Sequence, residues 1–254
     1  MPTEPNTPPH DEGTPGELLA SLSALRLRTR AARHAYWLPL LLFGLLITVA
    51  APLYVESTQP PLLRAPHANP ALTGLGGDLL ERSASLGWYW LAALIAGYLL
   101  SLGWYRWHGE RVGAQTPTRA YVTAGIVGTL VGLALPLVLR FLLLNSATSV
   151  SDATRWLTDP LLGVAGRGML PHLVIAAGLA VLAHLERSRG LWTVVAGYAA
   201  ATVLVNAYFH TANFEAGDVN RFGYMLAALL PAPILVIGGG IALRTTTRAA
   251  KRNA

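Results

Sequence analysis

The stretch LGWYWLAALIAGYLLSLGWY, residues 86–105, decides the fold class of this chain. It runs for twenty residues without a single Asp, Glu, Lys or Arg. A bilayer core of about 30 Å is crossed by roughly 20 apolar residues in an α-helix, which satisfies each backbone N–H within its own segment. A strand of a membrane barrel would alternate polar and apolar residues, and this stretch does not. It therefore predicts a membrane-spanning helix.

Five further stretches share this character, so the chain is predicted to be an all-α, six-span transmembrane helical bundle over residues 35–243. The predicted spans are Ala35–Tyr54, Leu86–Tyr105, Tyr121–Leu139, Met169–Leu185, Gly190–Phe209 and Phe222–Leu243. Composition agrees, since 53% of the residues are hydrophobic and only 13% are charged, which argues against a disordered chain or a soluble enzyme. The absence of cysteine excludes disulfides and thiolate sites.

Aromatic and basic residues mark the predicted span ends. Trp and Tyr prefer the membrane–water interface, so the aromatic residues at the predicted span ends are interpreted as interfacial anchors. They are Tyr36, Trp37 and Tyr54 at span one, Trp88, Tyr89, Trp90, Trp104 and Tyr105 at span two, and Tyr121, Trp192, Tyr208 and Tyr224 at later spans. Of the nineteen Lys and Arg residues, thirteen fall on one side of the predicted bilayer and five on the other, with Arg140 at the outer end of span three left out of the count. This asymmetry predicts that both termini lie in the cytoplasm. The basic residues flank apolar runs instead of forming one continuous face, so no nucleic-acid partner is expected.

The segments outside the bilayer differ in composition. Residues 1–15 contain five prolines and no basic residue, which predicts a disordered tail. Residues 16–34 form a basic juxtamembrane segment, either an interfacial helix or a plain basic flank. Residues 244–254 form a basic cytoplasmic tail. The largest predicted inner loop, Arg106–Ala120, carries Arg106, His108 and Arg111 as candidate docking residues.

Polar residues gather at the predicted outer ends of spans three to five. The candidate outer polar cluster consists of Arg140, His172, His210, Glu215 and Asp218. One interpretation is a shared cavity, in which His172 and His210 bind a metal or a haem with carboxylates nearby. The other is that interfacial side chains reach water independently. The second is preferred, because neither histidine spacing matches a specific ligand motif.

Glycine and proline predict how the spans pack and bend. Gly128 and Gly132 form a GxxxG pattern on span three, and span six carries Gly238–Gly240; such faces allow close helix approach, here predicted to occur within the chain. Pro136, Pro231 and Pro233 are predicted to bend or break their helices.

Three stretches carry a resemblance to a known group. They are RHAYWLPLLLFGLLI at 33–47, GWYWLAALIAGYLLSLGWYRWHGERVG at 87–113 and LPHLVIAAGLAVLAHLERSRG at 170–190. Over most of residues 30–245 the chain resembles uncharacterised multi-pass integral membrane proteins of high-GC Gram-positive bacteria. The resemblance implies a plasma-membrane location and no activity.

Three functional hypotheses follow. Because G-x-S-x-G, H-E-x-x-H and Walker A motifs are absent, the chain is predicted not to be an enzyme and to need no cofactor. It is then a membrane protein that partners another in transport or envelope response. The second hypothesis is the permease subunit of an ABC-2-like exporter, with a separate ATPase docked on the inner loop. The third is a metal- or haem-binding membrane enzyme using His172 and His210.

Overall fold

The computed structural model describes most of five predicted spans and isolated residues of the sixth. The described residues are 16, 19, 36–55, 75–77, 80–112, 122–123, 125–127, 130, 134, 164, 166–216 and 222–252, with the backbone alone at 111–112, 209–216 and 249–252. The disordered tail at 1–15 and most of the segment 16–34 lie outside them, although Gly16 and Leu19 are helical. Most of span three also lies outside them.

The described elements are helical, without strands, which confirms the all-α prediction. In chain order the helices are α1 (Trp37–Ala50), followed by a 3₁₀ turn (Ala51–Leu53), α2 (Ser83–Val112), α3 (Leu170–Glu186), α4 (Arg189–Ala216), α5 (Gly223–Leu229) and α6 (Ala232–Arg252). Pro39 and Pro171 fall in the first turns of α1 and α3, where an amide hydrogen would have no acceptor within the helix.

Within the described part of the chain, three helical segments are long and apolar enough to cross a membrane: Ser83–Glu110, Arg189–Tyr208 and Gly223–Arg248. The apolar helices Trp37–Leu53 and Leu170–Glu186 are shorter. These lengths and compositions point to a membrane location.

The last span is interrupted, as its prolines predict. Helix α5 ends at Leu229 and α6 begins at Ala232, on either side of Leu230 and Pro231. Proline lacks an amide hydrogen and clashes with the carbonyl four residues earlier, so a continuous helix cannot pass through Pro231 unchanged. The predicted break is confirmed at Pro231. Pro233 falls in the first turn of α6 and does not break it, and Pro136 lies outside the described residues.

Glycines set the close approach of α6 to α1 and α4. A Cβ on Gly239 would lie 2.8 Å from Leu41 of α1, and one on Gly238 would lie 2.7 Å from Val194 of α4. From α1, Gly44 approaches Val236 equally closely. The predicted packing of the glycine run within the chain is therefore confirmed, and α6 lies antiparallel against both neighbours.

Two helices continue beyond their apolar runs. Helix α2 extends to Val112, so the first seven residues of the predicted inner loop are helical. Helix α6 extends to Arg252, so most of the predicted basic tail is helical as well. Loss of apolar character ends a span but not a helix, because Arg, Ala and Lys are good helix formers.

Helices α3 and α4 form a hairpin with two residues between them. Arg187 adopts the left-handed conformation, with φ of 50°. Its amide hydrogen bonds to His184 O at 3.2 Å, and that of Ser188 bonds to Ala183 O at 3.3 Å. Ser188 Oγ in turn accepts from the amide of Leu191 at 3.3 Å. The turn thus closes α3 and opens α4 with its backbone groups satisfied.

Candidate functional site

A buried histidine lies at the end of the bundle where α3 begins. His172 is completely buried, and its Nε2 lies 3.2 Å from the carbonyl oxygen of Ala228, just before the break between α5 and α6. A carbonyl can only accept, so Nε2 carries the proton and Nδ1 is left as an acceptor. Nδ1 has no hydrogen-bond partner among the described residues.

Aromatic rings surround the imidazole on several sides. The rings of Tyr54, Trp90 and Tyr198 have centroids 6.1, 5.7 and 6.5 Å from that of His172. The first two meet it edge-on, and Tyr198 is nearly parallel to it at 12°. All three rings are buried. We call these four residues, with Arg167 and Asn206, the His172 cluster.

Directional hydrogen bonds connect the cluster to the chain before α3. Trp90 Nε1 donates to Tyr54 Oη at 2.9 Å, and Tyr54 Oη donates to the carbonyl of Gly168 at 2.8 Å. One hydroxyl thus joins the end of α1, the start of α2 and the entry to α3.

Polar groups continue from the cluster along one face of α4. Thr202 Oγ donates to Tyr198 O at 2.9 Å, and Asn206 Nδ2 donates to Thr202 O at 2.8 Å. Arg167 donates from a terminal nitrogen to Asn206 O at 3.0 Å, and its guanidinium lies 5.9 Å from the ring centre of Tyr224. Asn206 Oδ1 and Tyr198 Oη have no hydrogen-bond partner within the described ranges. Together with His172 Nδ1 and Arg167 Nε, these make four buried polar atoms of the cluster that lack a hydrogen-bond partner among the described residues.

Glycine backbones cover this end of the bundle. Gly77 and Gly168 have positive φ angles of 75° and 70°. A Cβ on Gly77 would overlap the backbone of Gly166 and Gly168, and one on Gly168 would lie 2.8 Å from Gly76 O. Two chain segments thus meet backbone to backbone beside the carbonyl that Tyr54 binds, which only glycine permits.

The structure describes one member of the predicted outer polar cluster in full. His172 occupies the site just given. Arg140 and Asp218 lie outside the described residues, and His210 and Glu215 are described by their backbone in α4 alone. Whether the five share a cavity therefore stays a prediction.

Two interpretations of single residues are wrong. His172 does not reach water independently, because it is 0% exposed. Tyr54 and Trp90 are not interfacial anchors, because both are also fully buried, whereas Trp88, two residues away, is 59% exposed. Hydropathy predicts the depth of a side chain along a span but not the direction in which it points.

Sequence reasoning missed most of the cluster's members. Of the six residues, it placed only His172 among the candidate site residues and interpreted Tyr54 and Trp90 as interfacial anchors. Tyr198, Thr202 and Asn206 recur at four-residue intervals, which places them on one face of α4. That four-residue spacing is the sequence signal from which their common helix face could have been predicted.

The metal hypothesis gains no further ligand from the described residues. Within them, no group of three or more His, Cys, Asp and Glu side chains is placed to hold a metal ion. His172 has one nitrogen engaged with a carbonyl, which leaves Nδ1 as its single metal-binding atom.

The candidate docking residues lie at the opposite end of the bundle, in the last turns of α2. Arg106 is exposed, and the ring of His108 stacks on Trp104 with centroids 5.7 Å apart. Trp104 also meets Trp37 of α1 edge-on at 5.2 Å. Tyr105 donates a hydrogen bond to Glu186 at the end of α3. Arg111 is described by its backbone alone.

Comparison of the chain with protein-family models, curated proteins and solved structures gives no match.

Proposed function

We propose that the chain is a multi-pass plasma-membrane protein with both termini cytoplasmic, and that it acts without catalysis of its own as a partner subunit in transport or envelope response. The observation that carries this proposal is a distribution of polar and apolar side chains opposite to that of a soluble protein. Large apolar side chains are exposed on the surface of every long helix, while the polar His172 cluster is buried.

The exposed apolar side chains suit a lipid environment. Among them are Leu45, Leu99, Val181, Leu204 and Ile237, which belong to five different helices. Soluble monomers rarely expose large contiguous apolar patches, because water disfavours them. In a bilayer the same surface faces hydrocarbon and carries no such cost.

The break in the last span supports a role in which helices move. The carbonyl of Ala228, next to the break, accepts a hydrogen bond from the side chain of His172 in α3. Discontinuous spans with buried polar groups line pathways in many transport proteins. His172 is the residue through which α3 and the break would move together.

Topology can be tested cleanly because the chain contains no cysteine. Arg82 and Arg248 are both exposed, at opposite ends of the bundle, so Arg82→Cys and Arg248→Cys form a matched pair. In intact cells an impermeant maleimide should label Arg82→Cys, and should label Arg248→Cys only after lysis. The reverse pattern would overturn the proposed orientation.

The partner role is tested by purification of the full chain from membranes in mild detergent. One protein in fixed stoichiometry should co-purify with the wild type. His172→Phe, which removes the hydrogen bond to Ala228, should change the amount retained while the chain still inserts. Purification of the wild type alone would contradict the partner role.

A second candidate is the permease subunit of an ABC-2-like exporter. It is favoured by the extension of α2, which presents Arg106 and His108 on a helix beyond the level of the Tyr105–Glu186 hydrogen bond. The pair Arg106→Glu and Arg111→Glu should release a bound ATPase, whereas Arg82→Glu at the other end should not. If no ATPase co-purifies with the wild type, this candidate fails.

A further inference from the structure

The end of the bundle opposite the His172 cluster carries its own arrangement of charge. Exposed arginines there come from three places in the chain: Arg106 in α2, Arg187 and Arg189 at the turn into α4 and its first residue, and Arg244 and Arg248 in α6. We call this the basic end.

Helix packing sets the relative levels of these arginines. In an antiparallel pair of helices, moving one residue forward along the first helix reaches the level of one residue backward along the second. Gly238 faces Val194, so Leu243, five residues later in α6, is level with Arg189, five residues earlier in α4. Gly239 faces Leu41, and a count of four residues along each helix places Leu243 level with Trp37 of α1. Two independent contacts therefore put Arg244 at the level where α1 and α4 begin.

Aromatic side chains identify that level as an interface. Trp37 lies there, and Trp192 is 44% exposed one turn from Arg189, on the apolar side. An exposed tryptophan such as Trp192 next to an arginine is typical of the headgroup region, where an amphipathic ring has one edge in hydrocarbon and the other in water.

Helix α6 then continues outward as a basic stripe. Arg244, Arg248, Lys251 and Arg252 occupy positions i, i+4, i+7 and i+8, which share one helix face. Eight residues beyond Arg244 extend the helix by about 12 Å, more than the roughly 5–8 Å of a single headgroup layer. The hydroxyls of Thr245 and Thr246 donate to carbonyls of α6 itself, which leaves the cations as its outward donors.

We propose that Arg244 and Arg248, with Arg189 at the same level, bind the phosphates of anionic phospholipids in the adjacent leaflet. Helix α6 contains no Asp or Glu, and the acidic residues described at this end are Glu110 and Glu186, the second of which accepts from Tyr105. Guanidinium groups match phosphate oxygens in geometry as well as charge. This inference rests on the membrane location proposed above.

The experiment first asks whether the wild-type chain stays in membranes through a carbonate wash. The protein is then purified in detergent, and bound lipid is counted by native mass spectrometry with phosphatidylglycerol and phosphatidylcholine of identical acyl chains. Wild type should favour phosphatidylglycerol. Each of Arg244→Gln and Arg248→Gln should reduce that preference about fivefold, as expected for one cation near an anionic surface.

The matched control is Arg82→Gln, which removes one exposed arginine at the opposite end and should leave lipid preference unchanged. High salt should weaken the preference, and inorganic phosphate at the lipid concentration should not displace the lipid. Equal binding of both lipids by a wild type that resists carbonate would overturn this inference alone. Loss of the wild type in the carbonate wash would overturn both this inference and the proposed membrane location. Displacement by inorganic phosphate, or unchanged preference in both variants, would also overturn the inference.

Discussion

The two ends of the bundle hold their helices together in different ways. At the His172 cluster, one tyrosine hydroxyl links three segments and glycine backbones meet at van der Waals distance. At the basic end, α6 packs on α1 and α4 through glycines against aliphatic side chains, and its cations point outward. A buried polar group needs a partner in the protein, whereas an exposed one finds it in water or lipid. We therefore expect substitutions to cost more stability at the cluster than at the basic end.

The largest expected effect is that of Gly77→Ala. The residue has φ of 75°, and a Cβ would overlap backbone atoms of Gly166 and Gly168, which cannot rotate away. We expect the free energy of unfolding to fall by about 3 kcal/mol or more. It is measured by tryptophan fluorescence during titration with SDS. Gly103→Ala is the control, because nothing lies within 4 Å of its Cβ. Similar stabilities for the two variants would break the comparison.

Next in size is Tyr54→Phe. It removes the acceptor of Trp90 Nε1 and the donor to Gly168 O, and leaves both groups buried without a partner. The expected loss is about 2 kcal/mol. Tyr198→Phe provides the contrast, because its hydroxyl is buried without a described hydrogen-bond partner and should cost little to remove. Equal losses in the two variants would mean that burial, and not hydrogen bonding, stabilises the cluster.

A pair of adjacent glycines tests packing in α6. A Cβ on Gly239 would lie 2.8 Å from the Leu41 side chain and 3.1 Å from its backbone nitrogen, whereas one on Gly240 would meet nothing within 4 Å. Gly239→Ala should therefore lower the free energy of unfolding by about 1–2 kcal/mol through overpacking, and Gly240→Ala should leave it unchanged or raise it slightly. The same SDS titration measures both, and a loss in Gly240→Ala would show that an unseen partner covers that face.

The smallest effect is expected at the exposed cations. Arg248→Gln should change the free energy of unfolding by less than about 0.5 kcal/mol, since solvent screens an exposed charge. Thermal stability in zwitterionic detergent is the appropriate measurement, because no anionic lipid contributes there. A larger loss would show that the basic end is held together by its charges and would remove the contrast between the ends.

Much of the helical architecture could be predicted from the sequence, because each span must satisfy its own backbone. Apolar runs predicted α2 and α4, Pro231 predicted the break, and Gly238–Gly240 predicted close packing. The helix ends could not be predicted in the same way, because hydropathy reports the surrounding medium and not the backbone hydrogen bonds. Helices α2 and α6 therefore continue through arginines that end the apolar runs.

The candidate site was predictable only in part, and for a different reason. His172 stood out because an ionisable residue beside an apolar run is rare. Its partners Tyr54 and Trp90 did not, because an aromatic at a span end has the same sequence signature whether it faces lipid or the bundle interior. Gly168 and Ala228 contribute backbone carbonyls, which no side-chain pattern reveals.

The turn between α3 and α4 has a consequence for biogenesis. Two residues separate the helices, and each of them is fixed by hydrogen bonds to the helix ends. In the membrane location proposed above, we therefore expect α3 and α4 to insert as one helical hairpin and not as two separate spans, with His172 and Tyr198 in the same unit.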